Sequence, residues 1–151
     1  MPAGSDPAPG VPELPHSWRP FGVRMAGVIF GGALAVVLVA TALALPPEIR
    51  ALFTWFELVT MAVLGVLAAA AFHALTRSRV DADEEGLTVV NGYRKRRFTW
   101  PEVIAVRLPA GAPWATLDLA DGTTCSVLGI QGSDGRRART AVAELRLLLD
   151  R

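Results

Sequence analysis

The chain holds one cysteine, Cys125, and two histidines, His16 and His73. A single thiol excludes an intramolecular disulfide, and three scattered ligands cannot make a standard structural zinc site. Charge of one sign is also lacking. Fifteen Lys and Arg face fourteen Asp and Glu, for a formal net charge of +1. That balance argues against a nucleic-acid binder, which carries a strongly basic face. Aromatic residues are few at 7%, although four of them are Trp. The parts of an active site are missing as well. Both histidines fall outside the polar C-terminal half, and no nucleophile–base pair, metal cluster or phosphate loop is legible. Gly129, Gly132 and Gly135 do not fit GxGxxG. The chain therefore reads as non-enzymatic, with no cofactor, metal or nucleic-acid partner expected.

What is present is apolar surface. Hydrophobic residues make up 52% of the 151 positions and mean hydropathy is +0.38, above the roughly 45–50% of a soluble domain. Residues 25–75 hold most of the excess. Met25 to Leu45 contains no charged residue and as a helix is about 30 Å long, the thickness of a bilayer's hydrocarbon core. Pro46 and Pro47 stop it, and residues 46–50 form a short turn. A second apolar run over 51–76 has Glu57 as its only carboxylate. Leu58 to Leu75 alone is long enough to span, which leaves Glu57 near the outer interface, where a carboxylate reaches water. His73 falls near the other interface. The expected plan is a two-helix transmembrane hairpin. Ala42 to Ala44 also offer a passable signal-peptide cleavage pattern, but the apolar run is long for an h-region and follows a long leader.

Flanking cations orient the hairpin. Arg19 and Arg24 precede the first helix, Arg77 and Arg79 follow the second, and Arg50 in the turn is offset by Glu48. The positive-inside rule puts both termini in the cytoplasm and the turn outside, in the cell membrane. Residues 1–24 carry six prolines and read as a disordered cytoplasmic tail, because proline lacks a donor and fixes φ. Gly27 and Gly31 form a GxxxG pair, and Gly65 with Ala69 offers a similar small face in the second helix. These are candidate helix-packing residues, either within the hairpin or across a homodimer.

After Arg79 the period shortens. Arg79–Ala82, Leu87–Val90 and Tyr93–Thr99 read as strands, with Asn91 and Gly92 as the two central residues of a type I′ hairpin turn. Trp100, Pro101 and Glu102 make a corner. Val103–Leu108 follows, with Ile104, Val106 and Leu108 expected on one face. Trp114–Leu119 pairs with Thr123–Leu128 across Asp121 and Gly122, a second I′-type signal. A helix capped by Ser133 or Asp134 starts near Arg136. Its apolar stripe is Ala138, Ala141, Val142, Leu145, Leu148 and Leu149. A sheet meander plus one amphipathic helix over 77–151 gives an α+β domain.

This C-terminal part resembles the small bacterial pleckstrin-homology (PH)-like domains, in particular the group named for low molecular weight protein antigen 6, of actinobacterial membrane proteins. The carrying residues are Asp83, Glu84, Glu85, Gly86 and Leu87, then Asn91 and Gly92, the basic strand Arg94 to Arg97, and the corner Trp100, Pro101, Glu102, Val103. The resemblance implies a curved antiparallel sheet closing toward a barrel, plugged at one end by the C-terminal helix. A full PH fold has seven strands, whereas six are legible here.

Arg94, Lys95, Arg96 and Arg97 form the densest basic run. It reads either as a solubilising strand that resists edge pairing or as a contact for anionic lipid headgroups or a protein partner. The PH resemblance supports the second by analogy. Asp81, Asp83, Glu85 and Gly86 mimic the start of a calcium loop, but position twelve is Gly92 rather than Glu, so a solvated acidic turn is expected. Arg136, Arg137 and Arg139 in the first turns of the last helix oppose its dipole. Trp18 and Trp55 are expected at membrane interfaces, Trp100 in the soluble core, and Trp114 as either contact or packing. Two functions compete: a membrane-anchored recognition module, or a structural subunit or assembly factor acting through its helices.

Overall fold

The computed structural model describes residues 10–151. The tail expectation for residues 1–9 lies outside the described residues. The chain divides into two compact units, one made of the segments before residue 21 and after residue 76, the other of residues 21–76.

The second unit is helical. α1 runs Phe21–Ala44 and α3 runs Trp55–Arg77, joined by the four-residue α2, Pro47–Arg50. α1 therefore starts four residues before the expected Met25, and α3 starts four after the expected residue 51. The later start has a local cause. Thr54 and Glu57 form a capping box, with the Glu57 carboxylate accepting from the Thr54 backbone N–H (2.7 Å) and hydroxyl (3.1 Å). Arg50 donates to the Leu45 carbonyl (3.0 Å) at the end of α1 and so tightens the turn. Both long helices are apolar and long enough to cross a membrane, and neither buries a residue.

Among the described residues, the first unit is a seven-stranded α+β fold. One sheet has the order β1 (His16–Trp18), β2 (Arg79–Ala82), β3 (Gly86–Asn91), β4 (Arg94–Thr99), and the other the order β5 (Val103–Arg107), β6 (Trp114–Leu119), β7 (Thr124–Gln131). All pairs are antiparallel. β1 corrects the tail expectation for residues 10–24. His16, Ser17 and Trp18 pair with Ala82, Asp81 and Val80. The strand missing from the sequence reading thus comes from upstream of the two long helices. Proline density hid it, because three non-proline residues between Pro15 and Pro20 suffice for an edge strand, whose outer groups need no ladder partner.

The core gathers Val80, Leu87, Val89, Phe98, Val106, Leu117 and Val127 from both sheets, with Trp18 and the α4 (Arg136–Leu149) stripe Ala138, Ala141, Val142, Leu145 and Leu148. That stripe is the one expected from the sequence, with Leu149 only partly buried. α4 is preceded by a 3-10 turn, Gly132–Asp134, and its N-cap is Gly135 at φ 56 with no side-chain cap bond, so neither Ser133 nor Asp134 caps it. Val103 and Val106 point inward, while Ile104 is 65% exposed. A β-bulge between Val103 and Ala105 shifts the alternation and turns Ile104 outward.

The two sheets meet where β7 crosses β2 and β3. Asn91 donates through its amide to the Ser126 carbonyl and accepts the Leu128 backbone N–H at 3.0 Å. Its side chain therefore acts as a strand-like clamp. This occupation goes with a register one residue from expectation: Asn91 pairs with Arg94, and the turn residues are Gly92 and Tyr93. Gly92 at φ 61 followed by a negative-φ residue is the II′ pattern rather than I′. The second hairpin also departs from the I′ expectation, by a different turn. Gly122 sits at φ 80 and its N–H returns to the Leu119 carbonyl (3.0 Å), giving a type I turn closed by a left-handed glycine.

Candidate membrane-proximal recognition face

The basic run Arg94–Arg97 does not form one patch. In β4 alternate residues face opposite ways, and each cation meets different neighbours. Arg97 is tied to Asp83 (3.1 Å) and Glu85 (2.7 Å). Asp83 also accepts from the Glu85 and Gly86 N–H groups, both at 3.0 Å, so the acidic segment is a closed turn locked onto β4. No cluster of three or more metal-ligating side chains occurs among the described residues. Arg96, on the other face, lies near Asp121 and helps hold its carboxyl low. Arg94 and Lys95 remain exposed beside the Gly92–Tyr93 turn.

That turn occupies a defined end of the domain. The Gly92 N–H donates to the Ser78 hydroxyl at 3.0 Å, and the Arg77 guanidinium stands 5.9 Å from the centre of the Tyr93 ring. Trp18 pairs with Val80. The last residues before α1 and the first after α3 thus leave the domain at the same end as the turn. Tyr93 is 62% exposed there. An amphipathic ring between cations suits a membrane–water interface.

The four tryptophans split differently from expectation. Trp55 is exposed at the start of α3. Trp18, expected at an interface, is buried in the soluble core, and its indole N–H donates to Glu144 at 2.7 Å. Trp100, expected in the core, is only partly buried and packs against it, and it donates to the Asp83 carbonyl at 3.1 Å. Trp114 is 40% exposed at the start of β6. Among the expected helix-packing glycines, a Cβ at Gly27 would run into the Phe72 ring, whereas Gly31 and Gly65 have nothing within 4 Å.

Two carboxylates on this domain titrate low. The Thr99 backbone N–H (2.6 Å) and hydroxyl (2.8 Å) bond Glu102 in a second capping box around the Trp100–Glu102 3-10 turn, and they hold its carboxyl below the usual glutamate value. The Thr123 hydroxyl (2.7 Å) and N–H (2.8 Å) hold the Asp121 carboxyl below the usual aspartate value. A depressed folded value adds stability that is present above the unfolded pKa and is lost as pH falls through the folded one. Replacing Thr123 with Val is expected to move the Asp121 carboxyl midpoint upward, read by carboxyl-carbon NMR titration. An unchanged midpoint would show that the turn hydroxyl does not set it.

The sequence profile of the bacterial PH domain matches residues 77–148. Over that stretch, just under half of the chain, the protein is similar to the bacterial PH domain. Two similar relatives are the uncharacterized proteins Mb1452 of Mycobacterium bovis and Rv1417 of Mycobacterium tuberculosis. Each is 38% identical over 99 residues, covering 66% of this chain and 64% of the relative. The chain thus matches less than two thirds of the length of these relatives. No solved structure matches it. The bacterial PH domain profile begins at residue 77, so it covers six of the seven strands and leaves β1 outside.

Proposed function

We propose that this chain is a non-enzymatic, membrane-anchored PH module that recognises anionic lipid headgroups at the cytoplasmic membrane surface. α1 and α3 cross the membrane as a hairpin, the 46–50 turn lies outside, and both termini are cytoplasmic. Topology supports the last point. β1 and β2 are adjacent strands of one sheet, so a chain that leaves through α1 must come back through α3 to the same side. The cation bias of Arg19, Arg24, Arg77 and Arg79 then selects the cytoplasm.

The observation that carries the lipid reading is the placement of the Gly92–Tyr93 turn against Ser78. If α3 spans the bilayer, that end of the domain lies at headgroup depth, and Arg94 and Lys95 come with it. Near an anionic leaflet each cation contributes about 1 kcal/mol, so the pair contributes about 2. The full chain in phosphatidylcholine nanodiscs, with and without added phosphatidylserine, provides the test. Amide hydrogen exchange at Gly92–Arg97 is expected to slow with the anionic lipid in the wild type. It should not slow in Arg94→Glu/Lys95→Glu. Equal exchange in both membranes rejects the lipid reading and leaves a protein partner, sought by affinity capture in mild detergent.

A second reading has its own observation. Gly31 and Gly65 present open, small-residue positions on the helices, where another helix, including one from a second copy, approaches closely. A structural subunit acting through its helices would keep its activity when residues 79–151 are deleted, while the recognition module would lose it.

A further inference from the structure

The residues before α1 are held to the soluble domain by more than a three-residue ladder. Leu14 packs against the core, and the Ser17 hydroxyl donates to Asp81 at 2.7 Å. Trp18 is only 7% exposed, and its indole reaches across to Glu144 on α4. The strand therefore bonds β2 along one side and α4 through its aromatic anchor. Without it, the polar edge of β2 and the apolar residues Val80 and Ala82, now at most 1% exposed, would lose their cover along a seam that ends at α4. Such an open edge beside an apolar floor accepts an extended segment.

We infer that the seam between β2 and α4 is a strand-accepting groove whose ligand is the chain's own residues Leu14–Trp18. The bacterial PH domain is therefore a split domain, with the two-helix unit inserted between its first and second strands. This rests on the membrane-spanning reading for one consequence. The domain completes its core only when both helices have crossed and returned the strap and the groove to one side. A chain with one helix inserted strands Trp18 across the bilayer from Glu144. A second copy's strap is the competing occupant, and the contacts seen, Trp18 with Val80 and with Glu144, join one chain to itself.

The test uses the full chain in membrane vesicles. Ser17→Cys and Asp81→Cys are introduced together with Cys125→Ala, and a protease site is inserted in the 46–50 turn. A short bismaleimide should join the two cysteines within one chain. The uncut protein then runs as a monomer, and the cut protein stays a single band on a denaturing gel. Trp18→Ala in this background should abolish the crosslink, while Trp18→Phe should keep it. A crosslinked dimer before cleavage overturns closure within one chain in favour of strand exchange. Two bands after cleavage overturn the strap altogether, as does a crosslink that Trp18→Ala leaves undiminished. Alkaline extraction of the same vesicles reads the membrane claim separately. Crosslinked protein in the supernatant would sink the spanning hairpin and spare the strap, and uncrosslinked protein in the pellet would do the reverse.

Discussion

Trp18→Ala is expected to remove about 3–5 kcal/mol from the stability of the soluble domain, the cost of truncating a buried Trp to Ala. A small domain has about 5–15 kcal/mol in total, so this one change at residue 18 takes a large part of it. The loss has two sources. The indole leaves a cavity in the buried cluster it shares with its strand partner Val80, and Glu144 loses a donor at 2.7 Å. Trp18→Phe separates them. It keeps most of the ring and forfeits the hydrogen bond, so about 1.5–3 kcal/mol is expected, the range for a bond to a charged group. Denaturant-dependent amide exchange of β2, β3 and α4, on the full chain in detergent, measures both. The contrast with the tail reading is sharp, because substitutions in a solvated leader fall within about 0.5 kcal/mol of zero. A null result at Trp18 would return residues 10–20 to the tail.

Where the sequence was legible, the signal was periodic and local. The α4 stripe from Ala138 to Leu148 needs only its spacing, and the two long helices need only length and lack of charge. Where it misled, a side chain had a distant partner. Asn91 reads as a turn former because Asn before Gly tolerates positive φ. In the fold its amide is used up between Ser126 and Leu128, 35 and 37 residues on, and the turn moves on by one. Trp18 reads as an interfacial ring because an apolar helix follows it, and its partner Glu144 lies 126 residues away. Simple alternation puts Ile104 on one face with Val106 and Leu108, and a bulge cancels it. The capping boxes Thr54–Glu57 and Thr99–Glu102 were different: Thr-x-x-Glu is a sequence signature, and it would have moved the start of α3 to Trp55. The candidate face was half legible. The cations were plain, but their division among Asp83, Glu85 and Asp121 depends on pairing across strands.

Gly129→Ala is expected to part the two sheets. A Cβ there would lie 2.7 Å from the Cα and carbonyl carbon of Arg79 and 3.0 Å from the Val80 nitrogen. Those atoms are backbone, fixed by the β2–β3 ladder that pairs Arg79 with Val90 and Val80 with Val89, so no side chain can swing away to relieve the clash. β7 has to move instead, and the Asn91 clamp on Ser126 and Leu128 moves with it. Overpacking typically costs about 1–3 kcal/mol, and a clash between two backbones belongs at the upper end. Gly122→Ala is the comparison. That glycine has open space around it but sits at φ 80, so its cost is conformational, about 1–2 kcal/mol, and stays within its hairpin. Hydrogen exchange tells the two apart. Gly129→Ala should speed exchange in β2, β3 and β7 together, because the close approach at Gly129 and the Asn91 clamp join all three, whereas Gly122→Ala should loosen only the β6–β7 turn. If Gly129→Ala left β2 and β3 protected, the sheets would be held by the shared core and α4 rather than by close approach at β7. The strap, the groove and the basic turn would then be free to shift relative to β7.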